Sequence, residues 1–260
     1  MKDSSAISGF ENPKSGRPMM WGQSAKSLAF RVARKTSPLF IPRRLKLPFD
    51  YWLHMLEGSL PNELRFLHRI VGGGDVAIDV GANQGLYSYN LSKRFCKVYA
   101  FEINPELTKD LEAYNPGNIE VINKGLSSRE GEAVLYIPES EGQSLTGWAS
   151  LTPNNCPDTQ EHTTKQCQIY PLDSFNIERV AFIKIDVEGH EIEVLKGGVD
   201  TLRRCGPIVL VEIKSHNIAE AFSLFSDMGY EERKLESFAN ATKTDEENYI
   251  FVPKMRSGSN

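Results

Sequence analysis

Long apolar runs are missing from this sequence. No stretch of about 18 apolar residues occurs, so no helix is expected to cross a membrane. Residues 1–10 lack a long apolar stretch behind a basic start, which argues against a secretory leader. Cysteine is sparse. Cys96, Cys156, Cys167 and Cys205 form no C-x-x-C pair and no zinc spacing. That excludes a zinc ribbon and predicts reduced thiols in a cytoplasmic protein. No segment repeats at solenoid periods. A strong overall charge is lacking too: the net value is only -4.

What remains is an ordinary globular composition, 40% hydrophobic and 25% charged over 260 residues. This length suits one sizeable core of roughly 200 residues with attached segments. The small net charge hides an asymmetry. Residues 1–50 carry ten Lys and Arg against three acids, so the remainder is clearly acidic. An acidic body argues against nucleic acid as the main partner, because phosphate binding needs a basic footprint. The basic stretch, with Arg31, Arg34, Lys35, Arg43, Arg44 and Lys46, is read as a solvated, partly disordered arm. Peripheral contact with anionic lipid, or with a partner, is the alternative. The expected division is therefore an arm over 1–50 and a folded domain over 51–256.

Within that domain the apolar pattern predicts alternating strands and helices. A helix is expected from about Leu60, with Leu60, Leu64, Leu67 and Val71 on one face and Gly72-Gly73-Gly74 as its stop. Val76–Val80 reads as a buried strand, Gln84–Phe95 as a helix, and Val98–Glu102 as a second strand. Asn104 can cap a further helix with Pro105 at its first position. Ile119–Ile122 is a third strand. This β-α-β-α-β order predicts a parallel sheet with helices on its faces. Strands at Ala133–Ile137 and Gln166–Tyr170 flank a polar stretch, Pro138 to Lys165, read as a hairpin-like insertion with a mobile tip and as the candidate lid of the site. Then come a strand at Val180–Asp186, a helix over Glu188–Arg204, a strand at Ile208–Ile213 and a helix over His216–Met228. Tyr230–Leu235 and Tyr249–Val252 are expected to pair.

The densest local signal is Asp79-Val80-Gly81-Ala82-Asn83-Gln84-Gly85, directly after a strand. Glycines there let the chain turn tightly and bring backbone N–H groups up to a ligand. The pattern departs from the dinucleotide fingerprint, because an acid precedes the first glycine and Asn83 replaces the second. An acid at a strand tip suits a cation better than a phosphate. The sulfonium and α-amino groups of S-adenosylmethionine meet that demand. Glu102, ending the next strand and followed by Ile103, is placed to accept both ribose hydroxyls. Asn123-Lys124-Gly125-Leu126-Ser127, after the third strand, falls near the expected base; Gly125 and Leu126 are the contacts assigned to it. Asp186 is counted with the donor-binding residues Asp79, Gly81, Ala82, Asn83, Gly85 and Glu102.

A second polar cluster, Lys184-Ile185-Asp186-Val187-Glu188-Gly189-His190-Glu191, lies where a buried strand meets a helix. Lys184 and Asp186 share one side of the strand. If this strand neighbours the first, Asp186 sits at the topological switch point where α/β sheets bind ligands. Glu191 is read as a favourable acid at a helix N-terminus.

These blocks, with Leu172-Asp173-Ser174-Phe175 and Leu195-Lys196-Gly197, resemble the FkbM-type methyltransferase family over roughly residues 60 to 253. The Lys-Ile-Asp-Val-Glu-Gly block with the trailing Leu-Lys-Gly is the most specific element. The resemblance implies a Rossmann-like class I methyltransferase fold: a seven-stranded, mostly parallel sheet with helices on both faces. It also implies O-methylation of a hydroxyl on a sugar, glycolipid component or secondary metabolite. Transfer from a sulfonium requires acceptor oxygen, methyl carbon and sulfur in line. A carboxylate or imidazole would take the hydroxyl proton. Asp186 and Glu188 are the expected bases, with His190 as the alternative and Glu212 as a further candidate. Asp186, Glu188 and Glu212 could instead place oxygens near a hard cation, but no metal is assigned. Trp148 in the insertion either stacks on a sugar face or anchors its loop on the core. Two rival readings are a nucleotide-dependent oxidoreductase, which needs the missing phosphate-cradling glycines, and a non-catalytic binding module, which would not need strand-end acids.

Overall fold

The computed structural model describes residues 41–140, 143–144, 149–151, 161–238 and 247–254. Trp148 and Cys156 lie outside these residues, as do 1–40 of the basic arm.

Seven strands form one sheet: β1 (Gly74–Val80), β2 (Phe95–Phe101), β3 (Ile119–Ile122), β8 (Val180–Ile185), β9 (Ile208–Glu212), β10 (Tyr230–Arg233) and β11 (Asn248–Pro253). Their order is β10-β11-β9-β8-β1-β2-β3. β11 runs antiparallel to both neighbours and every other pairing in this sheet is parallel. The central strands are apolar at nearly every position because both faces are covered. Val76, Ile78 and Val80 join one core cluster with Ile183 and Ile185, while Ala77, Phe182 and Leu210 join the other. This alternation places Asp79, on the Ala77 parity, opposite Lys184 across the β1/β8 ladder.

A second sheet orders β4 (Gly125–Leu126), β7 (Glu161–Tyr170), β5 (Gly131–Ser140) and β6 (Gln143–Ser144). β5 and β7 make a long antiparallel hairpin, from Gly131 opposite Ile169 to Glu139 opposite Glu161. The strands therefore invade the expected loop from both ends. The ladder satisfies the backbone whatever the side chains, so Ser, Thr and Glu tolerated on open strand faces disguise it.

The helices are shorter than the apolar pattern suggests. α1 (Arg43–Glu57) begins inside the expected arm and buries Leu47 and Leu53, so the division at residue 50 falls in mid-helix. Lys46 and Arg43 pair with Asp110. The face of Leu60, Leu64, Leu67 and Val71 is buried, but α2 (Asn62–Arg65) and α3 (Leu67–Ile70) divide it at Phe66. α4 covers only Leu86–Leu91. Asn83 and Gly85 have φ of 50° and 89°, which delays its start, and Phe95 is drawn into β2 beside Gly74. Asn104 caps no α-helix. Its side-chain oxygen accepts from the Glu106 N–H, forming an Asx turn, and α5 starts only at Lys109 and runs to Tyr114. The helix expected over Glu188–Arg204 is two, α6 (Glu191–Lys196) and α7 (Val199–Cys205), divided at Gly197-Gly198. A Cβ on Gly197 would lie 2.0 Å from the Ser127 carbonyl oxygen, so the chain passes β4 there at main-chain distance. α8 (Ile218–Asp227) follows β9. Among the described residues no helix is long and apolar enough to cross a membrane.

Candidate active site

The switch point lies between β1 and β8, because the chain order runs outward from β1 through β2 and β3 on one side and through β8 and β9 on the other. A cleft opens there, where small-molecule sites of α/β sheets usually lie. Gly81, Asn83, Glu102, Ile103, Gly125 and Leu126 form one end. Asp186, Val187, Glu188 and His190 form the other.

The first end is set by main-chain geometry. Gly81 has φ of 75°, and a Cβ there would lie 1.8 Å from the Asp186 carbonyl oxygen. Only glycine lets the β1 turn press against the end of β8. Glu102 is almost wholly buried, yet both its oxygens are occupied. Oε2 accepts from the Asn83 N–H at 2.8 Å and Oε1 from the Asn104 N–H at 2.9 Å. Burial pushes its carboxyl up, and these two N–H groups pull it back. Each carboxylate oxygen keeps a second lone pair for a ligand donor. Ile103, Leu107 and Leu126 give the neighbouring wall an apolar surface suited to a flat base.

Asp79 stands differently from the expectation. It is fully buried and, like Gly85, lines neither this cleft nor the second cavity beside it. Its Oδ2 accepts from the Ser88 hydroxyl at 2.6 Å, while its Oδ1 has no hydrogen-bond partner. Burial pushes its carboxyl up, opposed by the Lys184 ammonium. Lys184 is buried as well, with Nζ 2.7 Å from Asp186 Oδ2 and 4.7 Å from the Tyr87 ring centre. Burial alone would push this ammonium down, but Asp186 and Asp79 outweigh it and hold it up. With both acids ionised, the trio carries one net negative charge. The second cavity is lined by Gly81, Ala82, Asn83, Gln84, Leu86, Tyr87, Lys184 and Asp186. A cationic group arriving there would meet that excess charge at low dielectric. Asp79 reaches that space only through Lys184 and the local field, without lining it.

The second end is a strained turn. Glu188 and Gly189 have φ of 50° and 95°. Such a conformation is costly for a non-glycine residue and needs surrounding support. The Gly189 N–H donates to Glu191 Oε1 at 2.8 Å, and the Ser150 hydroxyl donates to the Glu188 carbonyl at 2.7 Å. Glu191 is sealed in the protein, and burial pushes its carboxyl up to about 7. Burial also pushes the Glu188 carboxyl up, helped by Asp186 and opposed by Lys214. His190 Nε2 lies 2.9 Å from Ser127 Oγ, and burial pushes the imidazole down, so it is neutral at pH 7. Lys214 Nζ sits 2.6 Å from Glu212, 2.9 Å from Glu247 and 3.4 Å from Glu188. Partial burial works against that ammonium, but the carboxylates raise its pKa. Of the acids considered for a hard cation, Glu188 and Glu212 pair with Lys214 and Asp186 with Lys184, and Glu212 does not line the cleft.

The hairpin and the insertion expected as a lid bring residues to the cleft that no local pattern singled out. Leu135, Ala149 and Leu151 roof the cleft, and an isolated bridge pairs Tyr136 with Ser150. These are apolar or small residues more than 30 positions from either motif, with no local signal. Leu107 and Lys214 stand outside the quoted motifs, and Lys124 lies inside the Asn123–Ser127 block without having been assigned a contact. Trp148 lies outside the described residues, so its expected role has no structural counterpart here.

A glycine bend after β1, an acid after β2 and a carboxylate at the β1/β8 switch point, on this strand order, define a class I methyltransferase fold. A family model described as the methyltransferase FkbM domain matches residues 79–232, more than half of the chain, and the chain belongs to that family. It is 32% identical over 143 residues to hexuronic acid methyltransferase AglP of Haloferax volcanii, covering 54% of this chain and 56% of that protein. It is 26% identical over 141 residues to methyltransferase 1 of Beauveria bassiana, covering 46% of this chain and 57% of the relative. The chain thus spans little more than half the length of these curated relatives. The solved structure of methyltransferase FkbM from Methylobacillus flagellatus KT aligns with a TM-score of 0.47 at 15% identity, over 69% of this chain and 43% of that one.

Proposed function

We propose that this protein is an S-adenosylmethionine-dependent O-methyltransferase whose acceptor is a sugar hydroxyl. The observation that carries the reading is Glu102, a buried carboxylate held by two main-chain N–H groups at the end of β2. Its remaining lone pairs suit the paired ribose hydroxyls of a nucleoside. The apolar slot beside it suits the base, and the excess negative charge of Asp79, Lys184 and Asp186 suits a sulfonium and an amino group. S-adenosylmethionine, when bound, supplies a methyl group on an electron-poor sulfur. The sugar part of the reading is supported by the relative named as a hexuronic acid methyltransferase.

The protein's own residues then have three tasks. Glu102 and the Gly81–Asn83 bend fix the donor end. The roof of Leu135, Ala149 and Leu151 excludes water from the middle of the cleft, where a hydroxyl would otherwise compete with solvent. Glu188 takes the hydroxyl proton as the new carbon–oxygen bond forms and the carbon–sulfur bond breaks. Its raised basicity and its place on the cleft wall favour it over Asp186, whose Oδ2 is bound by Lys184. His190, neutral and tied to Ser127, orients the acceptor.

Incubation with methyl-labelled S-adenosylmethionine and a panel of free and glycosidically linked hexuronic acids tests the proposal. Label in a sugar product that is stable to mild alkali is expected, because an ether survives where an ester is cleaved. Transfer only to protein, nucleic acid or lipid tails would refute the sugar acceptor, and no transfer to any fraction would refute the activity.

A further inference from the structure

The helix α1 has an inverted surface. On a helix facing water the outward stripe is normally polar. Here Leu45, Trp52, Met55 and Leu56 are half or more exposed, at 50%, 55%, 50% and 54%. They are the exposed large hydrophobic residues among those described, and all four lie on this one helix. Spacings of seven and four put Leu45, Trp52 and Leu56 in one line, with Met55 alongside. Half-buried Phe49 completes the stripe, its ring centre 6.3 Å from that of Trp52. The opposite side is the anchored one: Leu47 and Leu53 are buried in the domain and Lys46 pairs with Asp110. Such a contiguous apolar face marks an interaction surface rather than chance exposure.

Charge selects the partner. Exposed Arg43 and Arg44 stand at the head of the stripe, and residues 1–50 hold ten basic against three acidic residues in a chain that is otherwise acidic. A helix with a hydrophobic stripe, an interfacial Trp and a basic flank matches the boundary of an anionic bilayer, where apolar side chains enter the acyl region and cations meet headgroups. We propose that α1 seats this protein on anionic membrane surfaces, lying in the interface plane with Leu45, Phe49, Trp52, Met55 and Leu56 inserted. None of these residues lines the cleft, so the inference stands apart from the methyl-transfer reading.

The test is co-sedimentation of the full chain with phosphatidylcholine vesicles with and without phosphatidylserine. Pelleting with the anionic vesicles is expected, weakening as salt rises, with little on neutral ones. The triple variant L45S/W52S/L56S should bind about tenfold more weakly, in line with its lost apolar area. It should keep the circular dichroism and donor affinity of the parent, since these side chains already face outward. No pelleting of the parent, or equal pelleting of the variant, would overturn the proposal. So would a concentration-dependent dimer in analytical ultracentrifugation that the triple variant abolishes, because the stripe would then belong to a second copy.

Discussion

At the Glu102 end of the cleft the polar framework comes from the turns after the paired strands β1 and β2: Asn83, Glu102 and Asn104 are joined through two main-chain N–H groups. At the Glu188 end the same job is shared by distant segments. Ser150 from the hairpin, Lys214 after β9 and Glu191 of α6 hold one strained turn. The first kind of site is stiff by construction, because it depends on backbone that the central sheet already orders. The second depends on several elements arriving together, and each can vary without disturbing the donor end.

The comparison breaks most easily at Gly81, where the two ends touch. Gly81→Ala forces a Cβ to within 1.8 Å of the Asp186 carbonyl oxygen at a φ of 75°. We expect a loss of about 3 kcal/mol or more in stability, together with loss of donor binding, read by urea denaturation and calorimetry. A variant with parental midpoint and affinity would mean the ends are not in contact. Glu188→Gln sharpens the comparison from the acceptor side. The turnover number should fall roughly 10²–10⁴-fold, as for a lost general base, with donor affinity unchanged. A parallel loss of both would place Glu188 at the donor end instead.

Glu191 gives the smallest effect and the most specific signature. In the folded protein its carboxyl titrates near 7, against 4.5 for an ordinary glutamate. The folded state therefore holds a proton that the unfolded chain releases, so stability is full below about pH 4.5 and declines as pH rises toward 7. The decline amounts to about 3 kcal/mol. Glu191→Gln should flatten that slope in urea midpoints measured across the window. An unchanged slope would assign it to other groups, and Glu191 would no longer be the titrating support of the turn.

Legibility in the sequence follows the same division. Asp79 to Gly85, Glu102 and Lys184 to Glu191 are contiguous motifs, so their place at strand ends could be read before any coordinates. The parallel sheet was readable for a related reason: Val76–Val80 and Val180–Ile185 are buried at nearly every position and show it as apolar runs broken only by Asp79 and Lys184. What could not be read was long-range or context-bound. Leu135 became a cleft residue through the β5/β7 pairing, and Ala149 and Leu151 beside the Tyr136–Ser150 bridge. Asp79 carries the right charge, but its one-residue offset from the strand end seals it from the ligand space. Helix lengths failed where positive φ at Asn83, Glu188 and Gly189 delayed a start that apolar spacing alone had placed earlier.

The account rests on Glu102 as the seat of a nucleoside's ribose. Titration calorimetry of the full chain with S-adenosylhomocysteine, for the parent and for Glu102→Gln, tests this most directly. The parent should bind one equivalent, and the variant at least about tenfold more weakly, as expected for hydrogen bonds to a charged acceptor. Binding to neither, or equal binding to both by equally well-folded proteins, would contradict it.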